Sequence, residues 1–591
     1  MDKRVLFATV ISMGLVLLYI TFIAKPQPHE PAKPPATESS PTPKTANPAT
    51  AQAAADATNG AGSGSAGNVG NDKTAGKPAA PTPTPTPSPT ESTYEQAGLY
   101  RATFTSDGAA PTSWVLLKPQ YTEDNPRKSN KQSEPIDLVR TRAPNLPLTV
   151  VLLKPGTPTK DQTNVPPAFV LTPDAHWTEQ PRGSDGALSY VWENDELRVE
   201  KRLTPLPNNY QSNLLVTVVN KSDKPTSHFF QIQMHGWQDP NVKQGGMFSR
   251  RIVQNNGVCH VGGKLKKGSL DELLKKPIEE LGDVSWIGIG EQYFLDAVAL
   301  KHSDESKRCN VFGAADGSIS SILSVAERRL QPQQKTEYEM AVFMGPKILS
   351  QLDAVQVAGA PAKLGDVIEW SLWGTTELLG RPMLAVLKAI HFVVPNWGVA
   401  IIVLTILLKA ITWFPTQSSM KSMKAMAKLK PEMDKLKERY ANDKNQLNLA
   451  TMELYKKHGI NPLGGCLPVL IQMPIYIALY SMLGNSVELY RSPFVGWIRD
   501  LTAADPYYVL PILTGVLMFV QQKTQPTPPD PQQKTMMYMM PVMFTAFSIF
   551  LPAGLTIYIL TNTLLTFLQQ YVMNRGDQST RPKIATKPAR A

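Results

Sequence analysis

The 591-residue sequence predicts an α-helical polytopic membrane bundle, a five-span core plus an N-terminal anchor span, joined to a large all-β sandwich outside the membrane. Three observations predict it. Long apolar runs gather at the two ends of the chain. The middle is polar and reads as short strands. Basic residues concentrate beside the apolar runs, so the modest formal charge of +11 argues for topology signals rather than nucleic-acid binding.

Val5 to Ala24 is an uncharged apolar run preceded by Lys3 and Arg4. About 20 such residues cross a hydrocarbon core. The competing reading is a cleaved signal peptide, but its apolar stretch would be shorter and a small residue would stand three before the cut, where Phe22 stands. The preferred reading is an anchor (1–25) with its N-terminus inside. Residues 26–93, rich in Pro, Ala, Thr, Gly and Ser and including the Pro-Thr repeat at 81–87, cannot bury enough apolar surface to fold, and read as a tether.

Residues 94–345 carry strand signals. Leu148–Leu153, Asn213–Val219 and Phe229–Met234 are short, rich in β-branched or aromatic residues, and bounded by turn formers. Further strands are expected at Ala187–Trp192, Trp286–Leu300 and Tyr338–Phe343, with one helix crossing at Ser269–Leu281. Many strands and few helical patterns indicate a sandwich. His176, His228, His235, His260 and His302 fall here without any catalytic or metal spacing, and no cofactor is implied. Cys259 and Cys309 lie in this region, either as a disulfide or as two buried thiols; Cys466 lies in an apolar run and reads as a packing residue.

Residues 346–397 connect the sandwich to the spans. Within them Leu379, Met383, Val386, Leu387 and Ile390 recur at helical spacing, as expected of an amphipathic helix lying at the outer interface. Five spans follow at Gly398–Pro415, Leu463–Leu483, Pro506–Val520, Met536–Leu551 and Ala553–Met573. Thr416–Asn461 holds ten Lys or Arg against five acids and is expected inside; Asn485–Asp505 holds two against three and is expected outside. The basic tail (576–591) falls inside, and the sandwich falls outside between the anchor and the next span. The 416–461 loop reads as a helical hairpin turning at Tyr440–Asp443, with Met420 and Met423 on one stripe and Lys424 and Lys428 among its cations. It is either a solvated topology signal or a docking arm for ribosomes, targeting factors or nascent chains.

Lys409 is the one charged residue of the five C-terminal spans. A lysine at the bilayer centre costs roughly 2.5–3.5 kcal/mol, so its retention points to function. It also lies six residues from Pro415, roughly 9 Å along the helix, within snorkelling reach of the inner interface. The spans hold no Asp or Glu to pair with it, while Thr405 and Thr412 share its helix face and Gln472 and Asn562 supply polar groups on other spans. These side chains can line a wet groove open to the inside; singly, each is an ordinary interhelical hydrogen-bonding residue.

Asn461-Pro-Leu-Gly-Gly-Cys-Leu-Pro468, Ile471-Gln-Met-Pro474, Asp505-Pro-Tyr-Tyr-Val-Leu-Pro511 and Leu551-Pro-Ala-Gly-Leu555 strongly resemble the YidC insertases, as does the order anchor, large periplasmic domain, five spans. The resemblance implies a bacterial inner-membrane insertase and chaperone, not an enzyme, working without nucleotide or metal. Its partners would be nascent membrane proteins, membrane lipid, the Sec translocon, and ribosomes or targeting factors at the hairpin. It implies a hydrophilic groove with a cation on the second span, where this sequence has Lys409 in place of an arginine. Lysine keeps the charge and loses the bidentate fork. Substrate-facing positions map to Thr405, Met473, Tyr476 and Tyr558. Set against this are a secondary transporter or channel, which usually retains carboxylates in its spans, a membrane-anchored periplasmic binding module, and a scaffold for translocon partners.

Overall fold

A computed structural model describes residues 88–122, 134–156, 168–241, 254–301, 306–357, 359–368, 377–441, 443–459, 467–524 and 531–579. The expected anchor, nearly all of the tether, His302, Cys466 and the tail beyond Ser579 lie outside them.

Two antiparallel sheets make the β-region. Among the described residues, one has nine strands and runs from Lys264–Ser269 through Asn256–Val261, Val284–Gly290, Phe294–Leu300, Lys335–Pro346 and Gln211–Asn220 to Thr178–Gln180 at the far edge. The other has seven strands and is centred on Thr226–Trp237, flanked by Thr149–Lys154 and Ser318–Val325. Strand alternation sends one set of side chains inward: along Leu197–Pro205, Leu197, Val199, Lys201 and Leu203 are buried and Arg198 is exposed. The sheets approach closely at Gly257, where a Cβ would sit 2.2 Å from Val311 Cγ1. The Ser321 hydroxyl donates to the Gly288 carbonyl across the gap (2.9 Å). Cys259 and Cys309, on opposite sheets, are joined as a disulfide with Cα atoms 6.5 Å apart, which decides between the two readings of this pair.

A three-stranded sheet, Glu91–Gln96, Tyr100–Thr105 and Ala110–Leu116, packs Tyr100 on Trp114 (ring centroids 4.4 Å apart). Among the described residues the first strand therefore begins at Glu91, inside the expected tether. The Lys201 ammonium is buried and donates to the carbonyls of Ala109 (2.7 Å) and Leu148 (2.6 Å). Both acceptors are non-glycine residues in the left-handed region, at φ 46° and 61°. The lysine thus ties together two turns that sterics alone disfavour.

Other expectations change. The helix expected at Ser269–Leu281 is only α1 (Leu270–Lys275), closed at its start by a capping box between Ser269 and Glu272. Pro277 cannot continue it, and Ile278–Gly282 pairs as an edge strand with Lys307–Gly313. Trp286–Leu300 is a hairpin, two strands joined by the turn at Glu291–Tyr293. The connecting segment is less of a linker than expected. Its helix α2 (Leu349–Ala354) and the 3₁₀ turn Leu364–Val367 bury Leu352 and Leu364 in the β core.

The helical region comprises α3 (Glu377–Val393), α4 (Trp397–Lys428), α5 (Lys430–Arg439), α6 (Lys444–Lys457), α7 (Leu467–Asn485), α8 (Val509–Thr524), α9 (Pro531–Ser548) and α10 (Ala553–Ser579). Among the described residues, α4 alone is long and apolar enough to qualify as a membrane span by length and composition. It continues unbroken through Pro415 into the first arm of the hairpin. The turn at Tyr440–Asp443 lies where expected, with Asp443 capping α6 through the Asn445 and Gln446 amides. On α3 the expected apolar stripe divides: Met383, Leu384 and Leu387 are buried towards α4 and α7, whereas Leu379 and Val386 face outward with Leu378, Phe392 and Val393. Lys388 pairs with Glu488, and His391 stacks on Trp397 (3.8 Å).

An aromatic seam joins the sandwich to the residues just after the C-terminal end of α7. Tyr490 packs against Tyr293 (4.7 Å between ring centroids) and Phe294 (5.7 Å). Beside it the Gln292 amide donates to the Gly484 carbonyl (2.5 Å).

Candidate functional site

Helix α4 is amphipathic in the inverted sense. Its polar positions Thr405, Lys409, Thr412, Thr416 and Ser419 recur every three or four residues and are buried. Its opposite positions Ile406, Leu407, Ile411 and Phe414 are apolar and exposed, Phe414 by 77%. A helix in water buries the other face. One that turns apolar side chains outward and hydroxyls inward suits a hydrocarbon surrounding.

Helix α10 supplies the facing stripe: Tyr558, Asn562, Thr566 and Gln569. The Lys409 ammonium donates to the Thr566 hydroxyl (2.7 Å), which in turn donates to the Asn562 carbonyl (2.7 Å). Lower down, the Gln569 amide donates to the Trp413 carbonyl (3.3 Å), and its buried Oε1 has no partner among the described residues. Helix α7 closes the third side. The Gln472 amide donates to the Tyr558 hydroxyl (2.5 Å), and the Asn562 amide to the Tyr476 hydroxyl (3.4 Å), while the two tyrosine rings meet edge to face. The threonines of α4 donate back to their own helix: Thr405 to the Ile401 carbonyl (2.6 Å), Thr412 to Leu408 (2.9 Å) and Thr416 to Thr412 (2.7 Å). Their oxygens keep lone pairs for a guest.

The structure thus gathers Lys409, Thr405, Thr412, Gln472, Tyr476, Tyr558 and Asn562 onto the facing sides of three helices. Met473 stands apart, 43% exposed and outside this hydrogen-bonded set. The sequence reading missed Thr566, the direct partner of Lys409, and Gln569. Their signal was present as spacing: 562, 566 and 569 continue the helical stripe that Tyr558 and Asn562 begin. Among the described residues, no carboxylate pairs with Lys409. Its ammonium has three donors and uses one here.

The hairpin residues divide. Met420 is buried, Met423 is half-buried, and the Lys424 ammonium donates to the Met573 carbonyl of α10 (3.4 Å). Lys428 is exposed. The root of the hairpin is therefore tied to the bundle, and the free surface lies further out, where Leu449 (62%) and Met452 (50%) are exposed on α6.

The β-region histidines sit in separate contacts. His228 bonds the Tyr338 hydroxyl (3.0 Å), His235 bonds Ser320 (2.9 Å) and Gln233 (3.1 Å), His176 faces Asp107 (2.8 Å), and His260 faces Asp366 (3.3 Å). Burial, with the Arg328 charge adding to it, pushes His228 down to about 4; burial does the same to His235. These are neutral structural groups at physiological pH. Among the described residues, no three His, Cys, Asp or Glu side chains converge on a metal-holding group.

Comparison with known proteins now bears on the chain as a whole. Residues 389–580 match the family model described as 60Kd inner membrane protein, and residues 96–386 match the YidC periplasmic domain. The membrane protein insertase YidC of Syntrophus aciditrophicus is 32% identical over 579 residues, covering 97% of this chain and all of the relative. That of Anaeromyxobacter dehalogenans is 35% identical over 605 aligned positions, covering 99% of each. The chain belongs to the YidC membrane protein insertase family. A third YidC, from Thioalkalivibrio sulfidiphilus, is 38% identical over 389 residues, covering 65% of this chain and 67% of the relative. The two family matches meet at residues 386–389, so the boundary between them falls inside α3.

Proposed function

We propose that this chain inserts nascent transmembrane segments into the inner membrane through the groove between α4, α7 and α10, alone or with the Sec translocon. The carrying observation is Lys409: a buried ammonium on a polar stripe, held by a single hydroxyl, with donors to spare. In this reading α4, α7, α8, α9 and α10 are the five spans, with the hairpin and both termini in the cytoplasm and the sandwich in the periplasm. A nascent span arrives at the hairpin, handed over by a ribosome or targeting factor. Its short outer tail, often acidic, enters the groove and is drawn transiently to Lys409. Hydroxyls and amides along the stripe replace part of the tail's hydration. They shorten the apolar distance it must cross.

Release needs no covalent step. Once the apolar span meets lipid along the exposed face of α4, its burial supplies on the order of 25 cal/mol per Å². A single hydrogen bond between Lys409 and the protein suits this traffic, because a fully paired cation would hold its partner instead of a passing carboxylate. The inverted amphipathicity of α4 supports the same reading, with a wet side for the tail and a lipid side for the span.

The test compares three proteins on substrates with acidic and neutral tails. Lys409→Arg keeps the charge and is expected to insert both normally. Lys409→Glu is expected to fail selectively on acidic tails. Equal insertion by all three would remove the electrostatic step. Photocrosslinkers placed at Thr405 and Tyr476 should capture a stalled nascent span; capture from exposed Phe414 without capture from Thr405 would move the path out of the groove.

A further inference from the structure

The polar stripes of α4 and α10 are closed over one another. Thr405 and Tyr558 are each 1% exposed and Lys409 is 7% exposed, so a nascent chain reaches them only if a wall of the groove moves. The three walls are not equally fixed. Helix α10 is tied to α4 at successive levels, by Lys409 to Thr566, Gln569 to Trp413 and Lys424 to Met573. Helix α7 is divided. Its outer half is packed, with Ala478, Leu479, Met482 and Leu483 buried and the Gly484 carbonyl accepting from Gln292 of the sandwich. Its inner half is open: Met473 and Pro474 are exposed, and Ile471, Gln472 and Tyr476 are half-buried.

Pro474 stands inside the helix where the two halves meet. A proline there cannot donate to the carbonyl four residues back, that of Leu470, and its ring crowds that carbonyl, so the helix bends most easily at this point. The two side-chain bonds to α10 fall on opposite sides of it. Tyr476, on the packed side, accepts from the Asn562 amide (3.4 Å). Gln472, on the open side, donates to the Tyr558 hydroxyl (2.5 Å).

We propose that the inner arm of α7, Leu467–Met473, is a gate leaf that turns about Pro474 and is latched shut by the Gln472–Tyr558 bond, and that its opening admits the nascent chain to Lys409. What enters rests on the insertase reading above; hinge and latch rest on this geometry. The packed outer half and the Asn562–Tyr476 bond hold the pivot. A neutral amide on a neutral hydroxyl is a bond that a passing polar chain can replace. The arm is roughly 10 Å long, so a bend of about 20° carries its tip about 4 Å from α10.

The experiment measures the distance between nitroxide labels at Leu467 and Val572 by pulsed double electron resonance. It uses the full chain in lipid nanodiscs with Cys466→Ser, the other two cysteines being joined as a disulfide. Without a guest, Tyr558→Phe keeps the ring and releases the latch, and should enlarge the fraction about 4 Å longer by about threefold. Gln472→Met should do the same, and keeps the test open if Tyr558→Phe folds poorly. Pro474→Ala restores the amide donor and should narrow the distribution to the short distance. A ribosome-stalled chain with one apolar span should shift the parent protein to the long distance, while labels at Val495 and Phe550 on the outer side stay in place. An unchanged distance in both latch variants would overturn the latch, and equal widening in Pro474→Ala would overturn the hinge, whatever the substrate. A stalled chain that crosslinks to Thr405 while the distance stays short would overturn the gate and leave the insertase reading standing. Latch variants that open as expected, with no crosslink at Thr405, would overturn that reading and leave the hinge.

Discussion

The sandwich and the bundle each bury lysines, and they treat them oppositely. In the sandwich, Lys201 holds two backbone carbonyls, Lys307 donates to the Lys301 carbonyl (3.2 Å), and Lys347 to that of Glu291 (2.5 Å). Carbonyls are fixed acceptors, so these ammonium groups act as rivets in the backbone. In the bundle, Lys409 meets one threonine hydroxyl, a side-chain group that already donates to its own helix. The first arrangement uses a buried cation to define a fold, while the second leaves a buried cation available. The surfaces differ in the same sense. The sandwich turns Val199 and Leu203 inward and Arg198 outward, whereas α4 turns Thr405 inward and Ile411 outward.

The sharpest way to break this comparison is to remove the charge from the rivet. Lys201→Met takes the ammonium donor from the Ala109 and Leu148 carbonyls, both at left-handed positions. The expected cost is about 3–5 kcal/mol of β-region stability. Pulse proteolysis of the full chain across a denaturant series measures it. A loss below about 1 kcal/mol would show that the two turns hold themselves.

Next in size is a pH effect confined to the sandwich. His228 and His235 titrate near 4 in the fold, against about 6.5 when unfolded. Below pH 6.5 the unfolded chain binds more protons, so stability is fully present above that value and is lost as pH falls towards 4, by about 3 kcal/mol for each histidine. Lys201 acts in the same direction higher up the scale. Burial lowers it to about 7, and stability rises between there and the ordinary lysine value. The two histidines should therefore make the β-region more stable as pH rises from 4 to 6.5, opposed in part by the buried Asp296 carboxyl, which burial raises well above the ordinary carboxylate range. His235→Gln should flatten the acid limb, and an unchanged limb would place the loss elsewhere.

These contrasts were unequally visible in the sequence. The strands Leu148–Leu153 and Phe229–Met234 were legible because β-branched runs between turn formers have few other uses. The hairpin turn at Tyr440–Asp443 and the stripe Thr405–Lys409–Thr412 were legible because helical spacing is local. What failed was settled at long range. Ile278–Gly282 had a helical composition and became a strand because Lys307–Gly313 offered it an edge. On α3, spacing alone could not say which apolar residues face α7 and which face outward. Thr566 escaped because a threonine in an apolar helix is unremarkable until Lys409 is brought to 2.7 Å from it. Lys201, on a regular alternating strand, carried no mark of its role; its acceptors lie 53 and 92 residues away in the chain.

The counterpart of Lys201→Met is Lys409→Met, where the effect on stability should nearly vanish. The Thr566 hydroxyl keeps its bond to the Asn562 carbonyl, and an apolar side chain of similar length fills the position, so bundle stability should stay within about 1 kcal/mol or rise. Insertion of acidic-tailed substrates should nonetheless fall. Stability and insertion dropping together would make Lys409 a second rivet and erase the contrast between the two regions.

The smallest expected effect is at Thr566 itself, and it separates position from charge. Thr566→Val preserves shape and removes the one hydroxyl that aims the ammonium. Lys409 stays charged but is free to swing towards the inner interface, within reach of its four-carbon stem. Losing one hydrogen bond of this kind is worth about 1 kcal/mol, so insertion of acidic-tailed substrates should slow roughly fivefold while neutral tails are unaffected. Thr566→Ser should restore the rate because it returns the hydroxyl with a smaller side chain. If valine and serine behave alike, the groove needs only a cation somewhere along α4, and the 2.7 Å contact is packing rather than aim.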